Sequence, residues 1–161
     1  MRPIDSILVP TDFSPASERA LAYARQLADA YGASLHLLHV IEDPFAGGVY
    51  MGMMMAVPEG YFEQLDQQSR ARLAALLTED QRQQYRAVLA TRMGHAAAEI
   101  LDYARSHGAI DLIVIATAGR GAMSRLVLGS VADKVVRAAP CPVLTVHPQD
   151  RKESADVIHA A

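Results

Sequence analysis

Apolar residues follow two alternating rhythms along this chain. Short runs rich in Ile, Leu and Val occupy residues 6–9, 34–40, 86–92, 111–116 and 142–147. Runs apolar at successive positions suit strands covered on both faces. Between them the spacing lengthens to the helical period. Ala20, Leu21, Ala24, Leu27, Ala28 and Tyr31 recur on one helical face after Ser14-Pro15, which pairs an N-cap with a first-turn proline. Phe62, Leu65, Leu73, Leu76 and Leu77 predict a second helix, Ala97, Ile100, Leu101 and Ala104 a third, and Val131, Val135 and Ala138 a fourth. Strict alternation of strand and helix predicts a parallel sheet with right-handed crossovers and helices on both faces, a doubly wound α/β domain. Ligands of such sheets bind beyond the carboxyl ends of the strands, where the strand order reverses. That rule nominates Pro10 to Ser14, Ile41 to Asp43 and Thr117 to Ala122.

At 161 residues the chain fits one domain able to build its own core, expected over residues 1–148, with a polar, frayed tail over 149–161. The net charge of −3 comes from well-mixed acids and bases, so the basic footprint of a nucleic-acid binder is missing. No segment approaches the ~20 apolar residues that span a bilayer, and the expected location is the cytoplasm. Cys141, between Pro140 and Pro142, reads as a small hydrophobe rather than a nucleophile. Residues 42–58 are too long for an ordinary connection and carry Gly47, Gly48, Gly52 and two prolines, which predicts a mobile excursion. Met51, Met53, Met54 and Met55 within it suit Cu(I), yet no Cys or His joins them, and an adaptable apolar lid or partner surface fits better.

The candidate chemistry lies between residues 110 and 147. Gly119-Arg120-Gly121-Ala122-Met123-Ser124 imitates a dinucleotide fingerprint, but Ser124 takes the third glycine position and no acidic residue ends a following strand. A P-loop is absent as well. What remains is Gly119, nine residues, then Gly129-Ser130, with Ser130-Val131-Ala132-Asp133 matching an N-capping pattern. A helix start offers free N–H donors and a positive dipole end, so Gly129, Ser130 and Val131 can cradle an anion while Gly119 permits close approach. The alternative is that Ser130 merely caps the helix. Asp12, in VPTDFS at the end of the first strand, can hold Mg²⁺ against a phosphate or bind a sugar hydroxyl; its structural role would be an Asx turn into Ser14-Pro15. Arg120 is a candidate phosphate partner. The six histidines show no metal-binding or triad context, and His36 and His39, three apart on one strand, should point to opposite faces.

VPTDFSPAS, LLHVIED and DLIVIATAGRGAMSRLVLGSVADKVVRAAPCPVLTV together resemble the universal stress protein family over nearly the whole chain. The resemblance implies an open five-stranded parallel sheet in order 3-2-1-4-5, of the adenine nucleotide alpha hydrolase-like, Rossmann-like type. It also implies a homodimer, or a higher oligomer, formed through the final strand from Pro142 to His147. One branch of the family binds ATP through G-x2-G-x9-G-[ST], of which Gly119, Gly129 and Ser130 survive here while Ala116 replaces the first glycine. By this resemblance, triphosphate contacts fall on Gly119, Gly129, Ser130 and Val131, with Ala132 at the same helix start. Ribose and phosphate contacts fall on Ala116, Gly119, Arg120, Gly121 and Ala122, adenine lies against the backbone of Val40, and Pro10, Thr11 and Asp12 line the cleft. Ala116 is tolerated if its backbone is extended and costs roughly 1–2 kcal/mol if its φ is positive; extended geometry is expected. Ala118 stands where relatives often carry His.

The expected function is thus an ATP-binding regulatory protein, with AMP or ADP as related ligands and Asp12 as the candidate Mg²⁺ contact through the nucleotide. Nucleotide occupancy would alter the dimer or the Met-rich segment and so control recognition of an unidentified protein partner. Catalysis is limited to slow ATP hydrolysis, since TAGRGAMSR supplies no positioned base. The alternative is a nucleotide-free stress protein acting only through dimerisation and partner contacts, a reading that Ala116 and Ala118 support.

Overall fold

The computed structural model describes residues 3–42, 59–107, 110–117 and 128–147. The elements, in chain order, are β1 (Ser6–Pro10), α1 (Pro15–Tyr31), β2 (Ser34–Ile41), α2 (Tyr61–Ala75), α3 (Glu79–Gln84), β3 (Val88–Met93), α4 (Ala96–Ser106), β4 (Leu112–Ala116), α5 (Ser130–Ala138) and β5 (Val143–Val146). The strands form one sheet in the order β3-β2-β1-β4-β5, and every pairing is parallel. The doubly wound architecture expected from the alternation is the one observed. The predicted tail and the methionine-rich excursion lie outside the described residues.

Period-two alternation within the strands divides the core. Ile7, Val9, Leu35, Leu37, Leu112 and Val114 face α1 and α2, whereas Leu8, Leu38, Ile113 and Ile115 face α4 and α5. Helix α1 meets the sheet through Ala20, Ala24 and Ala28, small side chains that let the backbones approach closely. Its start is as predicted: Ser14 caps it by accepting from the Ser17 N–H, and Pro15 follows. It ends on Gly32, whose φ of 69° is the left-handed cap conformation that glycine adopts without steric cost.

Two sequence expectations need correction. The strand expected over 86–92 begins at Val88, because residues 85–87 close a helix instead. Tyr85 and Ala87 donate to the carbonyls of Gln81 and Arg82, and Arg86 takes a φ of 44°. That helix, α3, was not predicted. Its sequence EDQRQQ has no apolar face, and it stands on a capping box in which Thr78 and Gln81 satisfy each other's backbone amides. Leu76 and Leu77, assigned to the second helix, fall at its end, with Leu76 as the C-cap of α2.

His36 and His39 do point to opposite faces. On the α4 side, His36 Nδ1 lies 2.9 Å from Tyr103 Oη, and the Tyr103 ring stacks on His107 at 3.9 Å. Burial, and secondarily the nearby His107, hold the His36 imidazole below its ordinary value of 6.5. The unfolded chain therefore binds more protons as the solution is acidified. This contribution is intact above the unfolded value and is lost as pH falls through the lower folded one. Denaturant titrations of wild type and His36→Gln from about pH 7 to about pH 5 should show wild type losing more stability on acidification. Parallel losses in the two proteins would remove His36 from the acid response.

Candidate functional site

The strand order places β1 beside β4 at the centre of the sheet, with Ile7 opposite Leu112 and Leu8 opposite Ile113. From β1 the chain turns into α1 on one face, and the connection after β4 leads to α5 on the other. This divergence makes the carboxyl ends of the two strands the topological switch point, the place where doubly wound sheets bind ligands. Pro10 ends β1, Ala116 ends β4, and Val40 lies one residue before the end of neighbouring β2.

The turn after β1 is held by a dense set of short contacts. The Thr11 N–H donates to the Leu38 carbonyl at 2.9 Å, while Thr11 Oγ1 accepts from the Phe13 N–H at 3.0 Å and donates to Ser17 Oγ at 3.1 Å. Asp12 Oδ1 accepts from the backbone N–H of Ser14 at 3.0 Å and from its hydroxyl at 2.6 Å. The Asx turn considered for Asp12 is thus real, and it fixes the half-buried carboxylate at the switch point through Oδ1. A fixed carboxylate oxygen is the hard ligand that Mg²⁺ requires and the acceptor that a sugar hydroxyl requires. His39 Nδ1 donates to the Thr11 carbonyl at 2.8 Å. A carbonyl only accepts, so the proton sits on Nδ1.

On the β4 side, Ala116 pairs with Val146 and is not among the described residues of positive φ. Its backbone is extended, and the methyl group costs no backbone strain there. Thr117, almost fully buried, then ties three elements together. Its N–H donates to the Val146 carbonyl at 3.0 Å, its hydroxyl lies 3.1 Å from His147 Nδ1, and its carbonyl accepts from the Gly129 N–H at 2.6 Å. Sequence reasoning included Thr117 only as the start of a loop; its partners lie far along the chain.

The start of α5 differs from the expected one. Ser130 is the first helical residue and not the cap; the N-cap is Gly129, with φ −61° and ψ 151°, and no side chain of the described residues caps the helix. The Gly129 amide, expected among the anion donors, is already engaged by Thr117. The first intrahelical bond joins the Asp133 N–H to the Gly129 carbonyl, so the amides of Ser130, Val131 and Ala132 have no intrahelical acceptor. Three donors at the positive end of a helix dipole are the local chemistry of an anion cradle. The structure thus brings Pro10, Thr11, Asp12 and Val40 to one end of the sheet with Ala116, Gly129, Ser130, Val131 and Ala132. Gly119, Arg120, Gly121 and Ala122 lie outside the described residues.

Other chemistry finds little support. Among the described residues, no group of three or more His, Cys, Asp and Glu side chains could hold a metal ion, and no helix is long and apolar enough to cross a membrane. Burial, then Asp111, pushes the Cys141 thiol up and away from nucleophilic character.

Comparison with known proteins agrees with this architecture. A model of the universal stress protein family matches residues 3–147. A universal stress protein of Thermus aquaticus is 36% identical over 146 residues, spanning 88% of this chain and 97% of its own. The solved structure of the universal stress protein UspA from Lactobacillus plantarum is similar with a TM-score of 0.70 at 29% identity, covering 91% of this chain and 100% of that one. Two more distant structures share the fold. One is a universal stress protein in complex with cAMP, with a TM-score of 0.58 at 23% identity over 92% of this chain and 100% of that one. The other is the Archaeoglobus fulgidus protein in complex with dAMP, with a TM-score of 0.55 at 21% identity over 89% and 98%.

Proposed function

The chain belongs to the universal stress protein family, and on that premise we propose that it binds ATP at the β1/β4 switch point and acts as a nucleotide-responsive regulatory protein. The observation that carries this reading is the start of α5, where the N-cap is a glycine and the amides of Ser130, Val131 and Ala132 have no intrahelical acceptor. A buried or half-buried helix end normally finds acceptors for its first amides, and the donors of Ser130, Val131 and Ala132 suit the oxygens of a phosphate tail. The cAMP and dAMP complexes of two structural neighbours favour an adenine nucleotide.

In this arrangement the phosphates lie against residues 130–132, with Gly119, Arg120, Gly121 and Ala122 contributing from the preceding segment. Asp12 meets the ribose or a Mg²⁺ ion carried by the nucleotide, and the base lies along the backbone of Val40. Mg²⁺ would supply charge neutralisation of the phosphates. Binding is the proposed activity, with at most slow hydrolysis, because in the turn after β1 the Ser14 hydroxyl is committed to Asp12 and the Thr11 hydroxyl to Ser17 rather than to orienting a water.

Assembly is proposed through β5. It forms one edge of the sheet, and Leu144 within it and Val136 on α5 are large apolar side chains left 38% and 44% exposed. An apolar strand edge of this kind is a template for pairing with a second chain.

Identification by mass spectrometry of any small molecule released on denaturing the purified protein tests the assignment, together with calorimetric titration by ATP and Mg²⁺. Release of ATP, ADP or AMP, or saturable binding, supports it. An empty protein that ignores ATP while remaining a dimer would instead favour a stress protein that works through assembly and partner contacts alone.

A further inference from the structure

Beside Asp12 stands a backbone anomaly. Phe13 has a φ of 61°, and it and Arg86 are the non-glycine residues of positive φ among those described. Bulky L-residues rarely adopt this conformation, and it persists only where the surroundings over-determine it. Arg86 is accounted for by the turn that closes α3. Phe13 is held differently, by contacts from β2, from α2 and from its own turn. Its ring packs on the His39 imidazole of β2, with centroids 4.4 Å apart and planes inclined by 41°. The guanidinium carbon of Arg72, on α2, lies 4.0 Å from the ring centroid. His39 in turn clamps the Thr11 carbonyl, and Thr11 Oγ1 accepts the Phe13 amide. The ring, the imidazole and the backbone of residues 11–13 therefore form one closed unit, and a left-handed residue 13 is what turns the chain so that Asp12 can bond Ser14.

We propose that Phe13, packed between His39 and Arg72, is a positioning residue that sets the Asp12 carboxylate for the nucleotide, and that Arg72 makes this setting depend on the docking of α2. The proposal deepens the nucleotide reading above and rests on it. Arg72 lies on α2, so a change in how α2 packs would move the guanidinium relative to the ring and loosen the turn that holds Asp12. Arg72 is thus the link by which an event on α2 is felt at the switch point.

The test separates positioning from simple packing. Phe13→Gly removes the ring but suits a positive φ, whereas Phe13→Ala removes the ring and keeps the backbone penalty. The glycine variant should therefore melt higher than the alanine variant, yet bind Mg·ATP about tenfold more weakly than wild type, the fold-change that an aromatic stacking contact is worth. Phe13→Tyr should restore most of the affinity lost in Phe13→Gly. Arg72→Ala, at an exposed position that leaves folding intact, should weaken binding roughly two- to fivefold, in line with a partly exposed cation–π contact, and Arg72→Lys should recover part of it. Equal Mg·ATP affinity in wild type, Phe13→Gly and Arg72→Ala would overturn the positioning role and leave the nucleotide site standing. Absence of binding to wild type itself would remove the nucleotide reading and the positioning role together.

Discussion

Replacing Gly129 with leucine should abolish the thermal stabilisation that ATP is expected to give the wild-type protein while leaving the fold in place. The backbone of Gly129 is extended, at φ −61° and ψ 151°, so a side chain introduces no conformational strain. Its N–H bond to Thr117 involves the main chain alone and survives the substitution. Loss of a good N-cap residue costs about 1 kcal/mol. The large effect is on the ligand: a leucine side chain rooted at the cap stands beside the amides of Ser130, Val131 and Ala132, where the phosphate tail is proposed to lie. At a nucleotide concentration of about 100 times Kd, binding stabilises the wild type by about 2.7 kcal/mol. For a domain of this size that is a rise in midpoint of roughly 5–10 °C. Thermal melts with and without Mg·ATP should show this rise in wild type and none in Gly129→Leu. An equal rise in both proteins would place the phosphates elsewhere.

The second large effect concerns stability. Leu73→Ala should destabilise the protein by about 2–5 kcal/mol, the usual cost of truncating a fully buried leucine. Leu73 is completely buried in the core on the α1 side, and the other buried residue of α2 is Ser69. No alanine ridge like that of α1 shares the load, so the cavity falls on the main apolar anchor of the helix. Against a total stability of about 5–15 kcal/mol, the loss is severe. Denaturant unfolding should report it as a lower midpoint with an unchanged slope. Leu65, half-buried near the start of the same helix, should cost less on truncation. A change below about 1 kcal/mol for Leu73→Ala would mean that α2 docks through contacts other than its apolar face.

Much of the fold was legible because its cause is local. Strands covered on both faces must be apolar at successive positions, so residues such as Ile7, Leu8 and Val9 announce a central strand before any neighbour is known. Ser14-Pro15 and the alanine-rich face of α1 announce a helix in the same way. The 3-2-1-4-5 order came from family resemblance, since periodicity tells which faces are buried and not which strand lies beside which. Helix α3 escaped because a six-residue polar segment has no periodicity to detect, although Thr78 and Gln81 stand at capping-box spacing. The cap of α5 was displaced by one residue because Ser-x-x-Asp at 130–133 is a respectable local pattern. Its competitor is the Thr117 carbonyl, which draws the Gly129 amide and sets where the helix begins.

From the residues themselves come the alternation of sheet and helix, the assignment of core faces, and the segments that end each strand. The folded arrangement alone decides which of those segments meet at one end of the sheet, that the Gly129 amide is spent on Thr117, and that Phe13 takes a left-handed conformation in contact with His39 and Arg72. The physical reason is one of range. Burial patterns and helix caps act over a few residues and leave their mark in composition and spacing. A hydrogen bond or ring contact between distant segments depends on where the packed elements bring them, which no short stretch of chain encodes.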